Sequence, residues 1–353
     1  MEYSQTNTAT DTFDFFVQWH LTERCNLTCA HCYQGQDVPL EMSADAIGKT
    51  IGTVSDTIRY WSDTYEIPFS TSFSITGGEP FLKGDLASIL KKVAGAGFAV
   101  SVLTNGTLID RDKARMLADT PVRGVQVSLE GPEPVHESIR GKKSFSSALK
   151  GVRYLTDAGV QVTLNVTLSQ LNVDYFTDMI ALAGSLSVPY LGFSRLVPFG
   201  RGLNLLSGML TRERIKEVYE EIFSLETPGL EIVTGDPLAS QLRHAPPDDR
   251  EDAFPSGGCA AGVSGMTLLP DGTITPCRRL RIPVGNILKD PLRQVWAASD
   301  VLNALRNKGL YKGKCRTCAR WSNCRGCRAI AYAWSLSQGR GDLLEEDPQC
   351  FIV

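Results

Sequence analysis

Ten cysteines carry the chemistry open to this sequence, and they fall into two groups. Cys25, Cys29 and Cys32 lie in CNLTCAHC, a C-x3-C-x2-C spacing. None follows until Cys259; then come Cys277, Cys315, Cys318, Cys324, Cys327 and Cys350. The N-terminal stretch MEYSQTNTATDTFDFF has no basic segment followed by an apolar run, so a secretory signal is not expected. The expected compartment is the cytoplasm, where clustered thiols are more often metal ligands than disulfides. Three thiolates on a short loop suit one face of an iron–sulfur cube and leave one iron open. A zinc ion would want a fourth Cys or His. His31 is close by in sequence but is wedged between two of the cysteines. The CxxC pairs 315/318 and 324/327 also match a zinc ribbon by spacing alone.

These groups need elements to hold them. The chain has 353 residues, 42% of them hydrophobic, which is enough for two domains or for one large barrel with an extension. Strand-like and helix-like segments alternate over the first 225 residues. Strands are expected at 15–21, 72–78, 98–103, 125–129, 160–167 and 190–196. Helices are expected from Ser43, a plausible N-cap, to Trp61, and over 85–96, 110–117, 145–158, 172–186 and 211–223. Six β–α units of this kind predict an α/β fold, a partial barrel of parallel strands with its ligands at the strand C-termini. Residues 226–256 contain HAPPDDREDAFPSGG and read as a linker. Residues 257–353 read as a cysteine-rich extension with short strands, turns and one helix near 325–338. A net charge of −3 and a pI near 5.9 argue against a nucleic-acid or anionic membrane partner. No apolar run reaches the roughly 18 residues of a membrane span.

CNLTCAHC resembles the signature of the radical SAM superfamily, with His31 in the place of the usual aromatic residue. The resemblance implies that S-adenosylmethionine binds the open iron and yields a 5′-deoxyadenosyl radical that takes a hydrogen atom from substrate. It also implies roles after later strands. Gly77, Gly78, Glu79 and Pro80 form a GGEP segment expected to receive the methionine amino group through carbonyls and the acid. Glycine permits the close approach, and an ammonium needs acceptors. Ser128, in VSLEG, is expected at the ribose or carboxylate. Arg140, in HESIRG, is expected to pair with the methionine carboxylate, which suits a planar guanidinium. Asn165 and the backbone of 196–198 are expected on the adenine side. Each has a plainer alternative: a glycine turn, a strand-end serine, a solvated arginine.

The seven C-terminal cysteines resemble the SPASM extension, which carries two auxiliary [4Fe–4S] clusters and so implies three clusters in all. By resemblance Cys315, Cys318, Cys324 and Cys350 hold the outer cluster, and Cys259, Cys277 and Cys327 the inner one. The last pair is C-x2-C where the family gap is three. Three cysteines plus eight would make eleven, and the chain has ten. The inner cluster is therefore expected to take one ligand that is not a cysteine of this chain: water, an oxygen such as that of Asp271, or a substrate atom.

The family modifies peptides, sulfatases, tetrapyrrole side chains and sugars. Sulfatase-maturing members carry an acid after the cysteine matching Cys277. Here Arg278, Arg279 and Arg281 follow, which suit carboxylates or solvent. Only 24 residues precede Cys25, too few for a leader-binding domain. The leading expectation is a peptide-modifying maturase that forms a crosslink or oxidises a residue. The alternatives are tetrapyrrole decarboxylation, sugar dehydrogenation or epimerisation, and an iron–sulfur electron carrier that is not an enzyme. Expected partners are a peptide or small-molecule substrate, a reductant such as ferredoxin or flavodoxin, and a separate leader-binding protein.

Overall fold

The computed structural model describes residues 12–35, 40–242 and 255–352. Seven parallel strands come first: β1 (Phe13–His20), β2 (Phe69–Thr76), β3 (Ala99–Thr104), β4 (Gly124–Ser128), β5 (Val162–Leu168), β6 (Tyr190–Arg195) and β7 (Glu231–Val233). Between them run α1 (Ala44–Tyr65), α2 (Leu86–Gly95), α3 (Arg111–Ala118), α4 (Glu133–Arg140), α5 (Ser144–Asp157), α6 (Phe176–Ser185) and α7 (Arg212–Ser224). The C-terminal part adds β8 (Gly265–Leu268), β9 (Thr273–Thr275), β10 (Gly285–Asn286), α8 (Leu292–Ala298), α9 (Asp300–Arg306) and α10 (Arg328–Ser337). All ten strands form one open sheet in the order β10-β9-β8-β1-β2-β3-β4-β5-β6-β7. This is the expected α/β partial barrel of parallel strands.

Side-chain alternation builds it. Phe15, Val17 and Trp19 of β1, Phe73 and Ile75 of β2, and Val125 and Val127 of β4 are buried in the core beneath the helices. The residues between them, Gln18, Ser74 and Gln126 among others, face the interior of the barrel. On α1 the Ser43 hydroxyl accepts from the Ala46 N–H, as expected of an N-cap. Its buried stripe runs Ile47, Ile51, Val54, Ile58 and Trp61, the three-and-four spacing of one helix face.

Several elements differ from the sequence expectation. The supposed linker contributes β7, which pairs with β6; residues 243–254 of it, like 1–11, lie outside the described residues. The C-terminal part is joined to the barrel sheet, because β8 pairs in parallel with β1. Trp296 of α8 packs on Phe15 and Trp61, extending the barrel core. The Pro-led α4 and the short α8 and α9 were not expected. Each has seven or eight residues, about two turns, too few for a periodic pattern to show.

Candidate active site and cysteine clusters

The ladder between β1 and β2 continues past the strands. Gly78 N–H donates to Thr22 O at 2.8 Å, and Glu79 N–H to Arg24 O at 2.8 Å. A Cβ on Gly77 would lie 2.2 Å from Thr22 O, and one on Gly78 2.2 Å from Arg24 O. Only glycine allows this approach. The contact sets the start of the loop that carries Cys25, Cys29 and Cys32. Its middle is held by Ala30 N–H to Ile139 O at 2.8 Å and Arg201 Nε to Cys29 O at 3.0 Å.

The three thiols line one cavity with Gly77, Gly78, Ser128, Arg140 and Asn165. The expected cofactor residues are thus brought together, except Glu79 and Pro80, which are fully or nearly buried. Glu79 is held by neighbouring protein donors. Its carboxylate accepts from Thr104 Oγ1, from Asn105 N–H at 2.9 Å and from Phe81 N–H at 3.1 Å, so it braces the turn. Burial pushes its carboxyl up, partly offset by those bonds.

Sulfur receives donors in this cavity. Leu27 N–H lies 3.5 Å and Asn105 Nδ2 3.9 Å from Cys25 Sγ, and Arg140 NH1 lies 3.8 Å from Cys29 Sγ. Burial is the main force that pushes the Cys25 and Cys29 thiols up. The donor set fits an iron–sulfur cluster. Among the described residues no three His, Cys, Asp or Glu side chains are grouped as a single ion would require.

Arg140 is not free. Its Nε and NH2 bond Glu130 Oε1 at 2.9 and 2.5 Å. His31 Nε2 stands 3.2 Å from the same oxygen, and Thr167 N–H donates to Oε2 at 2.9 Å. Burial opposes the Glu130 charge, but Arg140 and His31 hold its carboxyl well below the usual range. His136, whose Nδ1 accepts from the Glu130 N–H at 3.2 Å, is lowered to about 4, chiefly by burial. Glu130 and Asn105 escaped the sequence reading, although SLEG and LTNG follow strands just as TGGE does.

Two of the three arginines after Cys277, Arg278 and Arg279, also line the cavity. Arg278 stacks over the Tyr33 ring at 5.9 Å, and Arg279 NH1 donates to Arg195 O at 3.2 Å. Arg281 turns away and pairs with Glu23 at 2.9 Å. Glu23 also bonds His20, whose protonation is disfavoured mainly by burial.

The remaining thiols group by mutual influence. Burial pushes Cys315 up to about 11, with Cys350 and Cys318 adding to it, and raises Cys324, with Cys350 and Cys315 adding. Cys327 is raised to about 12 by burial; Arg279 opposes and Cys259 adds. Cys277 and Cys327 both act on Arg279. Asp271 does not reach this group. It is exposed at the tip of the β8–β9 hairpin, where its Oδ1 accepts from Thr273 N–H at 2.9 Å.

Comparison with known proteins agrees with this arrangement. The radical SAM superfamily model matches residues 19–183, and the SPASM iron–sulfur cluster-binding domain matches residues 259–328. An AdoMet-dependent heme synthase of Methanosarcina barkeri is 28% identical, over 95% of this chain and 95% of that protein. A PqqA peptide cyclase of Streptomyces rochei is 29% identical, over 94% and 87%. Two solved structures share the fold. SuiB of Streptococcus suis bound to S-adenosylmethionine has a TM-score of 0.72 at 16% identity, covering 96% of this chain and 78% of its own. anSMEcpe with bound AdoMet has a TM-score of 0.71 at 19% identity, covering 95% and 93%. No described helix is long and apolar enough to cross a membrane. The chain belongs to the radical SAM superfamily and carries a C-terminal SPASM domain, so S-adenosylmethionine and iron–sulfur clusters are its cofactors.

Proposed function

We propose that this enzyme removes a hydrogen atom from a peptide and leaves a crosslink or an oxidised residue. The observation that carries the reading is one cavity lined by the thiols of Cys25, Cys29 and Cys32 together with Arg278 and Arg279, which directly follow Cys277. Cys25, Cys29 and Cys32 would hold the radical cluster. Cys315, Cys318, Cys324 and Cys350 would hold an outer cluster, and Cys259, Cys277 and Cys327 an inner one with one ligand from elsewhere. When bound, these groups supply a 5′-deoxyadenosyl radical and an electron acceptor. The chain's own residues supply position. Gly77 and Gly78 keep the backbone close enough to offer carbonyls to an ammonium. Arg140 offers its remaining N–H groups to a carboxylate, and Ser128 and Asn165 face the cavity where a ribose and an adenine would lie. Arg278 and Arg279 orient the substrate, and such orientation is a large part of what a radical enzyme must provide.

A second reading, propionate decarboxylation on a tetrapyrrole, is supported by heme synthases that match 95% of this chain. The cavity arginines suit a propionate as well as a peptide carboxylate.

Anaerobically reconstituted protein, given S-adenosylmethionine and a reductant, should form 5′-deoxyadenosine. Product masses decide between the readings. A peptide encoded beside the gene should lose two hydrogens on the first, and an iron coproporphyrin should lose carbon dioxide together with two hydrogens per propionate on the second. The Cys25→Ala, Cys29→Ala, Cys32→Ala triple variant should lose about four iron per chain and all deoxyadenosine formation. Deoxyadenosine from that variant would refute the assignment.

A further inference from the structure

A closed β/α barrel fills its lumen with bulky branched side chains. In this barrel the inward positions are mostly small or polar, with Leu103 and Tyr190 the larger ones. One layer runs Gln18, Ser74, Ser101 and Gly124 across the strand register, and another Leu103, Gln126, Thr163 and Tyr190. These residues line a second cavity of about 170 Å³ inside the barrel. A Cβ on Gly192 would lie 2.9 Å from Asn165 Oδ1, so glycine helps keep this space open.

The lumen joins the cofactor cavity at Leu103, Gln126, Asn165 and Arg278, which line both. Arg123, the residue before β4, stands at the opposite end. None of the described residues lining the lumen is Asp or Glu. Arg278 has no carboxylate partner among the described residues and stacks on the Tyr33 ring. The compartment thus offers amides, hydroxyls and a guanidinium at each end, with no negative charge to balance them. Arg278 is half-buried and Arg123 exposed at the far mouth, and a carboxylate is the partner that suits a guanidinium best. The volume is below the roughly 300–1,000 Å³ of a whole small-molecule pocket, so it suits one arm of a ligand.

We propose that the barrel lumen binds a polar, carboxylate-ended arm of the substrate, which enters past Arg278 and points toward Arg123. This deepens the proposed function and rests on it for the position of the reacting carbon. Both substrate readings contain such an arm, as an acidic side chain or peptide C-terminus, or as a propionate.

The probes are linear dicarboxylates from succinate to suberate, titrated calorimetrically into the anaerobically reconstituted enzyme. One chain length should bind, and its diamide should not. Arg278→Gln and Arg123→Gln should each weaken binding about tenfold or more, the loss of a charge-assisted bond. Ser74→Leu with Ser101→Leu fills the lumen without touching the cofactor cavity. It should abolish dicarboxylate binding while S-adenosylmethionine binding, read by equilibrium dialysis, is unchanged. Wild-type enzyme that binds no dicarboxylate, or filled-lumen enzyme that binds as well as wild type, overturns the proposal. Should the filled variant misfold, the surface variant Arg123→Gln still decides, because unchanged affinity there refutes the two-ended site. Deoxyadenosine formation is a separate readout, so failure of the proposed function is seen apart from failure of the lumen site.

Discussion

Glu130 is fully buried and bonds Arg140, Thr167 and Asn172, with His31 3.2 Å away. Arg140 is therefore both a wall of the cofactor cavity and the main counter-charge of a buried carboxylate. Truncating one partner of such a pair leaves a charge stranded in low dielectric, at about 3–5 kcal/mol. Arg140→Ala should lower unfolding stability by that order, measured in urea, as well as weaken S-adenosylmethionine binding. Combining it with Glu130→Gln should recover much of the stability, since no charge is then stranded. A double variant as unstable as the single would show that Glu130 is not the group Arg140 neutralises.

At the scale of elements, the two loops after β1 and β2 act as one unit. Leu21 N–H donates to Thr76 O, Gly78 N–H to Thr22 O and Glu79 N–H to Arg24 O, which zips residues 21–24 to 76–79. Gly78 is held by space alone, because a Cβ there meets the Arg24 carbonyl oxygen at 2.2 Å and its carbon at 2.5 Å. Backbone cannot yield as a flexible side chain would. Gly78→Ala should push the two loops apart at about 1–3 kcal/mol, the usual cost of overpacking. Because Cys25 is the next residue after Arg24, iron at the radical cluster should drop while iron bound by the C-terminal cysteines stays. Iron analysis of Gly78→Ala beside the triple cysteine variant checks this. Full iron content with unaltered melting would show that the loops tolerate the methyl group.

Across the molecule, one buried arginine ties the barrel to the C-terminal segment. Arg195, at the end of β6, donates to Asp347 at 3.0 and 2.7 Å, to Asp236 at 2.7 Å and to Gln349 at 2.8 Å. Asp347 also accepts from the Cys327 N–H at 2.8 Å, and its carbonyl accepts from Cys350 N–H at 3.0 Å. One residue thus touches a cysteine from each proposed auxiliary set, Cys327 through its carboxylate and Cys350 through its carbonyl, and its carboxylate also meets a barrel residue that lines the cofactor cavity. Asp347→Asn keeps the shape and removes the charge. Reduction adds negative charge to a cluster, so loss of a nearby carboxylate should move auxiliary-cluster midpoints to more positive potential. The radical cluster should stay where it was. Redox titration followed by electron paramagnetic resonance separates these signals; unmoved auxiliary midpoints would reduce Asp347 to a purely structural brace.

The cysteine spacing and the GGEP segment were legible because each is local: a few residues on one loop present their groups wherever the chain goes. The barrel was legible because SFSIT, VQVS and VTLNVT alternate with period two, and the pleat turns that period into two faces. The same strings show polar residues on one face, yet nothing local says whether that face meets solvent or an enclosed lumen. Three-residue strands such as β7 and β9 lie below what alternation can reveal. Asp271 has an oxygen suited to iron but spends it on its own hairpin turn. Arg278, Arg279 and Arg281 are alike in sequence; two line the cavity and one meets Glu23, 258 residues away. Arg195 finds Asp347 across 152 residues. A side chain's type limits which partners it can take, but the partner it has depends on which distant segment the fold lays against it. The thiol chemistry was therefore readable in one dimension, and the long-range charge pairs, Arg281 with Glu23 and Arg195 with Asp347, were decided only by the tertiary fold.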